Sequence, residues 1–311
     1  MGALERMISA GIRRSGTASA IRLLVARRRV SILLYHDPDP ETFAEHLDYI
    51  APRYNGVTLS AVVDAIRDGT WHALPDYPLV ITFDDGWKGN TKIAELCRRA
   101  GFPITIFLSS AIVATNRHFW WTEHPDAESL KSAPTQRRLR VLADGGFEPD
   151  REYVDRQALS QPELEGMTDI AEFGAHTRFH PILSVCDESV AWEEISMCRS
   201  EIETLVGRPC RHFAYPSGDY TERDAEMAAR AGFSSARTID VGWTGPGSDP
   251  YRLRCLGTPD DAGRDRLAAD LSGAGFIWRW GVTRRWDGRH PAVVPSDAVG
   301  PTVEPDPLSV P

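Results

Sequence analysis

The chain has 311 residues, 42% hydrophobic and 25% charged, and a net charge of −9 from 44 acidic and 35 basic side chains. That is enough for one large α/β domain or two small ones; it excludes global disorder, a collagen-like fibre, a membrane bundle and, by its acidic balance, a general nucleic-acid binder. The five cysteines are odd in number and contain no C-x-x-C, which excludes a disulfide framework and a zinc ribbon and fits a reducing compartment.

Residues 1–29 read as a basic leader. Seven Arg and one Glu give the first 30 residues +6, so the remainder carries −15. Leu4, Ile8, Ile12, Ile21, Leu23, Leu24 and Val25 are spaced for an amphipathic helix over 3–25, weakened by Gly11 and Gly16. One reading is a weak membrane-surface contact. The other is a helix lying on the domain, favoured because the segment lacks aromatic anchors. Arg22 breaks the apolar stretch and Arg27, Arg28 and Arg29 follow it, so it does not read as a secretion signal. No run approaches the ~18 apolar residues of a spanning helix. The expectation is a cytoplasmic protein, at most peripheral at a membrane.

From Val30 short apolar runs alternate with amphipathic segments, the pattern of βα units. The strands predicted are Val30–Tyr35, Leu79–Phe83, Ile104–Leu108, Ile170–Gly174, Arg211–Ala214, Ser234–Thr238 and Tyr251–Leu256. Helices are predicted near 41–52, 60–68, 89–100, 186–206, 221–231 and 261–272. Thr42 with Glu45 suggests one capping box, and Thr221 a second cap. Residues 114–160, with Trp120 and Trp121, interrupt the rhythm and read as a long insertion in a domain over 30–285. Residues 286–311 are Pro-rich and read as an extended or disordered tail.

Four polar clusters follow predicted strands: Tyr35-His36-Asp37, Thr82-Phe83-Asp84-Asp85-Gly86-Trp87, the run from Gly174 to Pro181, and Ala214-Tyr215-Pro216-Ser217-Gly218-Asp219. In parallel α/β folds the ligand site lies at the carboxyl ends of the strands, so these clusters can converge. Asp84 and Asp85 are adjacent carboxylates after a buried strand, costly unless a cation is present. Asp-Asp-Gly is also good turn chemistry. His176 and His180 are four apart, and one helical turn would put both imidazoles on one face. Seen alone they read equally well as two loop histidines. With one aspartate they form a two-His-one-carboxylate set, which leaves positions open for water and substrate at a catalytic zinc. Thr177 stands where an H-E-x-x-H peptidase has Glu, so that chemistry is not supported.

These residues resemble the polysaccharide deacetylase (NodB-like) family, the fourth family of carbohydrate esterases. Thr82 to Asp85 match its T-F-D-D motif, and His176-Thr177-Arg178-Phe179-His180 matches H-[ST]-x-x-H. The resemblance covers about residues 30–272 and implies a distorted (β/α)7 barrel. It implies Asp84 as catalytic base and Asp85, His176 and His180 as ligands of one divalent ion, zinc in the first instance. The third motif, R-x-P-Y-G, reads Ala214-Tyr215-Pro216-Ser217-Gly218, so its Arg is missing. Arg254 is chosen to replace it in orienting Asp84; Arg237 and Arg252 read as ordinary barrel-rim side chains. Tyr215, Pro216, Ser217 and Gly218 are expected to contact substrate, and Trp243 to wall the acetyl pocket.

The family's C-terminal L-x-H acid is not found; His290 lacks the Leu. Tyr35-His36 resembles a Y-H branch of the family, so His36 is the expected acid, with His118 and His124 as alternatives. Trp120 and Trp121 read either as a sugar-stacking pair or as anchors of the insertion. The implied activity is hydrolysis of the N-acetyl group of an amino sugar in a polysaccharide, oligosaccharide or glycolipid precursor. Two other readings are a metal-dependent amidase of the same fold acting on a small non-sugar amide, and a non-catalytic carbohydrate-binding relative.

Overall fold

The computed structural model describes residues 3–131 and 133–274. The 286–311 tail and His290 lie outside the described residues. Eight strands form: β1 (Ser31–Tyr35), β2 (Asn55–Gly56), β3 (Pro78–Phe83), β4 (Ile104–Leu108), β5 (Ala171–Ala175), β6 (His212–Ala214), β7 (Ser235–Val241) and β8 (Leu253–Gly257). All pair in parallel. β1 pairs with β3 on one side and β8 on the other, which closes seven strands into a barrel; two-residue β2 only extends the start of β3. The predicted strands all form, with ends shifted by up to three residues. The (β/α)7 barrel expected from the sequence is the observed fold.

The helices are α1 (Ala3–Arg14), α2 (Thr17–Ile21), α3 (Pro40–Ile50), α4 (Leu59–Arg67), α5 (Asn90–Ala100), α6 (Ala127–Leu130), α7 (Thr135–Asp144), α8 (Gln161–Glu165), α9 (Glu188–Val206), α10 (Glu222–Arg230) and α11 (Arg264–Leu271). No described helix is long and apolar enough to cross a membrane. The leader is not one helix. It breaks at Gly16, whose φ of 79° suits a residue without Cβ, and runs on through α2 into a π-helical turn, Arg22–Ala26. The cap of α3 is Asp39 rather than Thr42: its carboxylate accepts from the N–H groups of Glu41 and Thr42, with Pro40 in the first turn. Thr221 does cap α10, with Asp224 closing the capping box.

Alternation along the strands sorts side chains into two cores. Ile32, Val80, Phe107, Ala214, Leu253 and Cys255 cluster with Val57, Leu59 and Val62 at the start of α4: they fill the barrel, and α4 closes it. Gly174 makes room for Phe107, since a Cβ there would meet that ring at 2.6 Å. Leu33, Tyr35, Ile81, Phe83, Ile104, Ile106 and Phe213 face the other way, against Phe43, Leu47, Ile93 and Ile195 of the surrounding helices. The barrel also holds polar groups: His212 bonds Ser60 Oγ and Ser235 Oγ, each at 2.9 Å.

The insertion is ordered. Trp120, Leu130, Leu142 and Phe147 form its own small core. Its returning end is stitched to the turn after β3: Leu159 N–H donates to Gly86 O at 2.8 Å, and Ala158 bridges Trp87.

Candidate metal and active site

Four chain segments meet at the carboxyl ends of the strands. β3 runs Thr82 inward and Phe83 outward, so Asp84 points inward; its N–H continues the ladder to Tyr35 O at 2.9 Å. Strict alternation would send Asp85 away from the mouth. Instead Asp85 takes φ 72°, and Gly86 follows at 83°, so the second carboxylate also turns into the site. Both carboxylates are buried.

His176 follows β5 on the inward register of Glu172 and Gly174. Its Nδ1 lies 2.7 Å from Ala214 O, which fixes Nδ1 as the donor and frees the Nε2 lone pair. Nε2 stands 3.7 Å from both Asp84 Oδ2 and Asp85 Oδ1. His180 is brought round by a loop, not by the helical turn expected from the spacing: Thr177 and His180 have φ 62° and 54°. Thr177 Oγ1 accepts from His180 N–H at 3.1 Å. Glu194 of α9 accepts from the N–H groups of Arg178 and Phe179 at 2.8 and 2.9 Å. His180 Nε2 then lies 3.6 Å from Asp85 Oδ1.

The donor set fits one divalent ion. Ligand atoms of Asp85, His176 and His180 lie within 4.8 Å of one another, all buried. Asp85 Oδ2 accepts from Trp87 Nε1 at 2.9 Å, whereas Oδ1, facing both imidazoles, is buried with no hydrogen-bond partner. Burial pushes the Asp85 carboxyl up, against the pull of His36 and His176, and holds the His180 imidazole well below its ordinary value. A buried carboxylate oxygen without a hydrogen-bond partner, facing two imidazole Nε2 atoms, is a ligand set for a cation.

Arg237, not Arg254, holds Asp84. Nη2 of Arg237 lies 2.5 Å from both carboxylate oxygens, and the guanidinium sits over the Phe107 ring at 5.2 Å. Burial alone would raise Asp84; the charge of Arg237, then of His176 and His36, brings it below the ordinary carboxylate value. Alternation is the reason: Arg237 shares the inward register of Ser235 and Ile239 on β7, while Leu253 and Cys255 take the inward positions of β8 and leave Arg254 outside.

His36 is exposed at the mouth, and its charge is felt by Asp84, Asp85 and His180. Asp260 accepts from the N–H groups of His36 and Asp37 at 3.1 and 2.8 Å, fixing that turn. The alternative acids lie apart. His118 is buried between Glu123 and the Asp155 carbonyl, and His124 Nδ1 accepts from Asp126 N–H. Trp120 is an anchor, buried, donating from Nε1 to His180 O at 3.0 Å. Trp121 is half-buried, its ring 4.3 Å from that of His180.

Two expectations for substrate contact are corrected. The Tyr215 side chain is buried, stacked on Tyr220 with its hydroxyl donating to Tyr251 O. Only the turn around it remains at the mouth: Ser217 is half-buried at φ 55°, between buried Pro216 and Gly218. Trp243 does not wall the site. Register between β7 and β8 slips after Arg237, and the chain doubles back so that Thr244 bridges Val30. Trp243 thereby lines a separate cleft of about 980 Å³ with Arg254; none of Asp84, Asp85, His176, His180 or His36 lines it.

Comparison with known proteins agrees with this geometry. The family model described as polysaccharide deacetylase matches residues 73–236. No curated protein matches the chain. Among solved structures it resembles the Streptococcus pyogenes deacetylase PplD in complex with acetate (TM-score 0.59, 16% identity, covering 78% of this chain and 98% of that one). It also resembles IcaB from Ammonifex degensii (0.58, 19%, 80% and 97%) and a de-N-acetylase from Aggregatibacter actinomycetemcomitans (0.58, 14%, 78% and 99%). At these identities the likeness shows the fold. The family match spans more than half of the sequence, and the chain belongs to the polysaccharide deacetylase family, as a hydrolase of carbon–nitrogen bonds outside peptides.

Proposed function

We propose that the chain is a metal-dependent deacetylase that hydrolyses the N-acetyl group of an amino sugar in a polysaccharide, oligosaccharide or glycolipid precursor. The observation that carries this reading is the unpartnered Asp85 Oδ1 facing two imidazole Nε2 atoms beside the buried Asp84–Arg237 pair. Asp85, His176 and His180 would hold the ion, zinc in the first instance, which as a Lewis acid would polarise the amide carbonyl. Asp84, kept ionised by Arg237, takes the proton from the attacking water. The Ser217 N–H, with Pro216 and Gly218 shaping its turn, stabilises the developing oxyanion. His36 protonates the departing amine, and acetate and a free amino sugar leave. Trp121 offers a ring face to the sugar beside His180. That one solved structure of similar fold is named as a de-N-acetylase agrees with an amide substrate.

The test is acetate release from a panel of N-acetylated sugars, with chelator and then with zinc restored. Release that chelator stops and zinc restores supports the reading. Turnover unaffected by chelator, or a bound ion without release from any acetylated sugar, refutes it.

A further inference from the structure

The leader carries a surface that the proposed reaction does not use. Its packed side is settled: Ser9 and Ala18 are buried, and Arg13 and Glu5 pair with Asp265 and Arg266 of α11. Among its exposed basic residues it holds large apolar side chains in water: Leu4 is 65% exposed, Met7 71%, Leu23 53% and Leu24 85%. Large apolar side chains held in water over neighbouring turns mark an interaction surface. Charge is divided in the same place, +6 in the first 30 residues against −15 elsewhere.

The apolar run leads directly into the cleft that holds Trp243. Val25 and Arg29 line it from the leader, and Arg254 from β8. Arg252 of the same cleft is neutralised by Glu222 and Asp249. Arg29 and Arg254 make no ion pair among the described residues. The exposed Leu pair thus runs through Val25 into a cleft with an indole and two guanidinium groups without ion pairs, against one such carboxylate, Asp240, which accepts from the Tyr220 hydroxyl; this is the chemistry of a bilayer interface.

We propose that this face seats on a bilayer containing anionic phospholipid, with Leu23 and Leu24 entering the acyl boundary and Arg29 and Arg254 meeting headgroup phosphates. The strongly acidic body is repelled by the same surface, which confines contact to the leader face. A second copy of the chain is disfavoured as occupant, because two leaders present the same positive charge. The inference stands independently of the deacetylase reading.

The experiment floats the intact chain with phosphatidylcholine vesicles and with vesicles that also contain phosphatidylglycerol. Binding is expected only to the second kind, and to weaken with salt. The double variant Leu23→Asp, Leu24→Asp should lose it while melting as the parent does, since both side chains are exposed. Arg29→Gln with Arg254→Gln should reduce partitioning by roughly 25-fold, about fivefold per arginine. Failure of the parent to float, or undiminished floating of the Leu variant, overturns the proposal. So does a dimer, seen by light scattering, that the Leu variant dissolves, since the face then belongs to a second copy.

Discussion

Replacing Arg237 by Met tests what holds the base in place. The Arg237 side chain is fully buried and that of Asp84 is 6% exposed, so no water takes over when the guanidinium goes. Removing one partner of a buried ion pair costs about 3–5 kcal/mol, because a charge is left uncompensated. Met keeps much of the volume over Phe107, so that cost is chiefly electrostatic. The sign follows from the shift. Asp84 is held below its ordinary 3.8, so its contribution is complete above that value and is lost as pH falls through the folded pKa. The Arg237→Met deficit should therefore be full at neutral pH and shrink in acid. Urea unfolding of the chelated chains measures it. Adding Asp84→Asn to the variant should recover part of the loss, since the charge that Arg237 compensated is then gone too. Arg254→Met, on the outer side of β8 and without an ion pair, should stay within about 0.5 kcal/mol of the parent. An Arg254 deficit as large as that of Arg237 would refute the assignment.

Asp84→Asn should retain metal, read by elemental analysis, yet lose acetate release by about 10²–10⁴-fold; near-normal turnover would mean another base. His176→Ala and His180→Ala should each lose bound metal and the stabilisation zinc gives, about 2.7 kcal/mol at a hundredfold excess over Kd, seen as a lost zinc-dependent rise in melting temperature. His36→Ala should lower turnover partially with metal intact, because water can also deliver the proton; a larger loss in His290→Ala would move the acid to the tail. His212 is held neutral, its pKa lowered by burial and by Arg211 to about 3 from 6.5. Stability should therefore fall as pH drops from 6.5 toward 3, by up to roughly 5 kcal/mol, and His212→Gln should flatten that limb in urea titrations; an identical slope in both proteins would disprove the link.

Much of this architecture is written locally. Apolar runs such as Leu79–Phe83 and Ile104–Leu108 are buried on both faces, so they read as parallel strands without a partner in view. The four polar clusters at the ends of β1, β3, β5 and β6 mark the site edge for the same reason: apolar burial stops there. Thr221 was legible as a cap because capping needs only residues three apart.

Other features depend on contacts far apart in sequence. Asp85 faces the site through one left-handed residue, and His180 through a loop pinned by Glu194 and by Trp120 of the insertion. Nothing in the H-T-x-x-H spacing distinguishes that loop from a helical turn. On sequence alone Arg254 was chosen as the orienting arginine and Arg237 set aside, whereas Arg237 meets Asp84. Period-two alternation favours Arg237 only once the strand bounds and the barrel interior are known, and its partner is 153 residues away. Trp243 follows a predicted strand just as the site residues do, yet a register slip between β7 and β8 carries it to the flank. The sequence by itself determined the strand–helix alternation and the chemistry gathered at one barrel end, because propensity and hydrophobic period act over a few residues. Which arginine meets Asp84, and which tryptophan meets His180, was decided by closure of the barrel, because only packing across the sheet selects partners so distant along the chain.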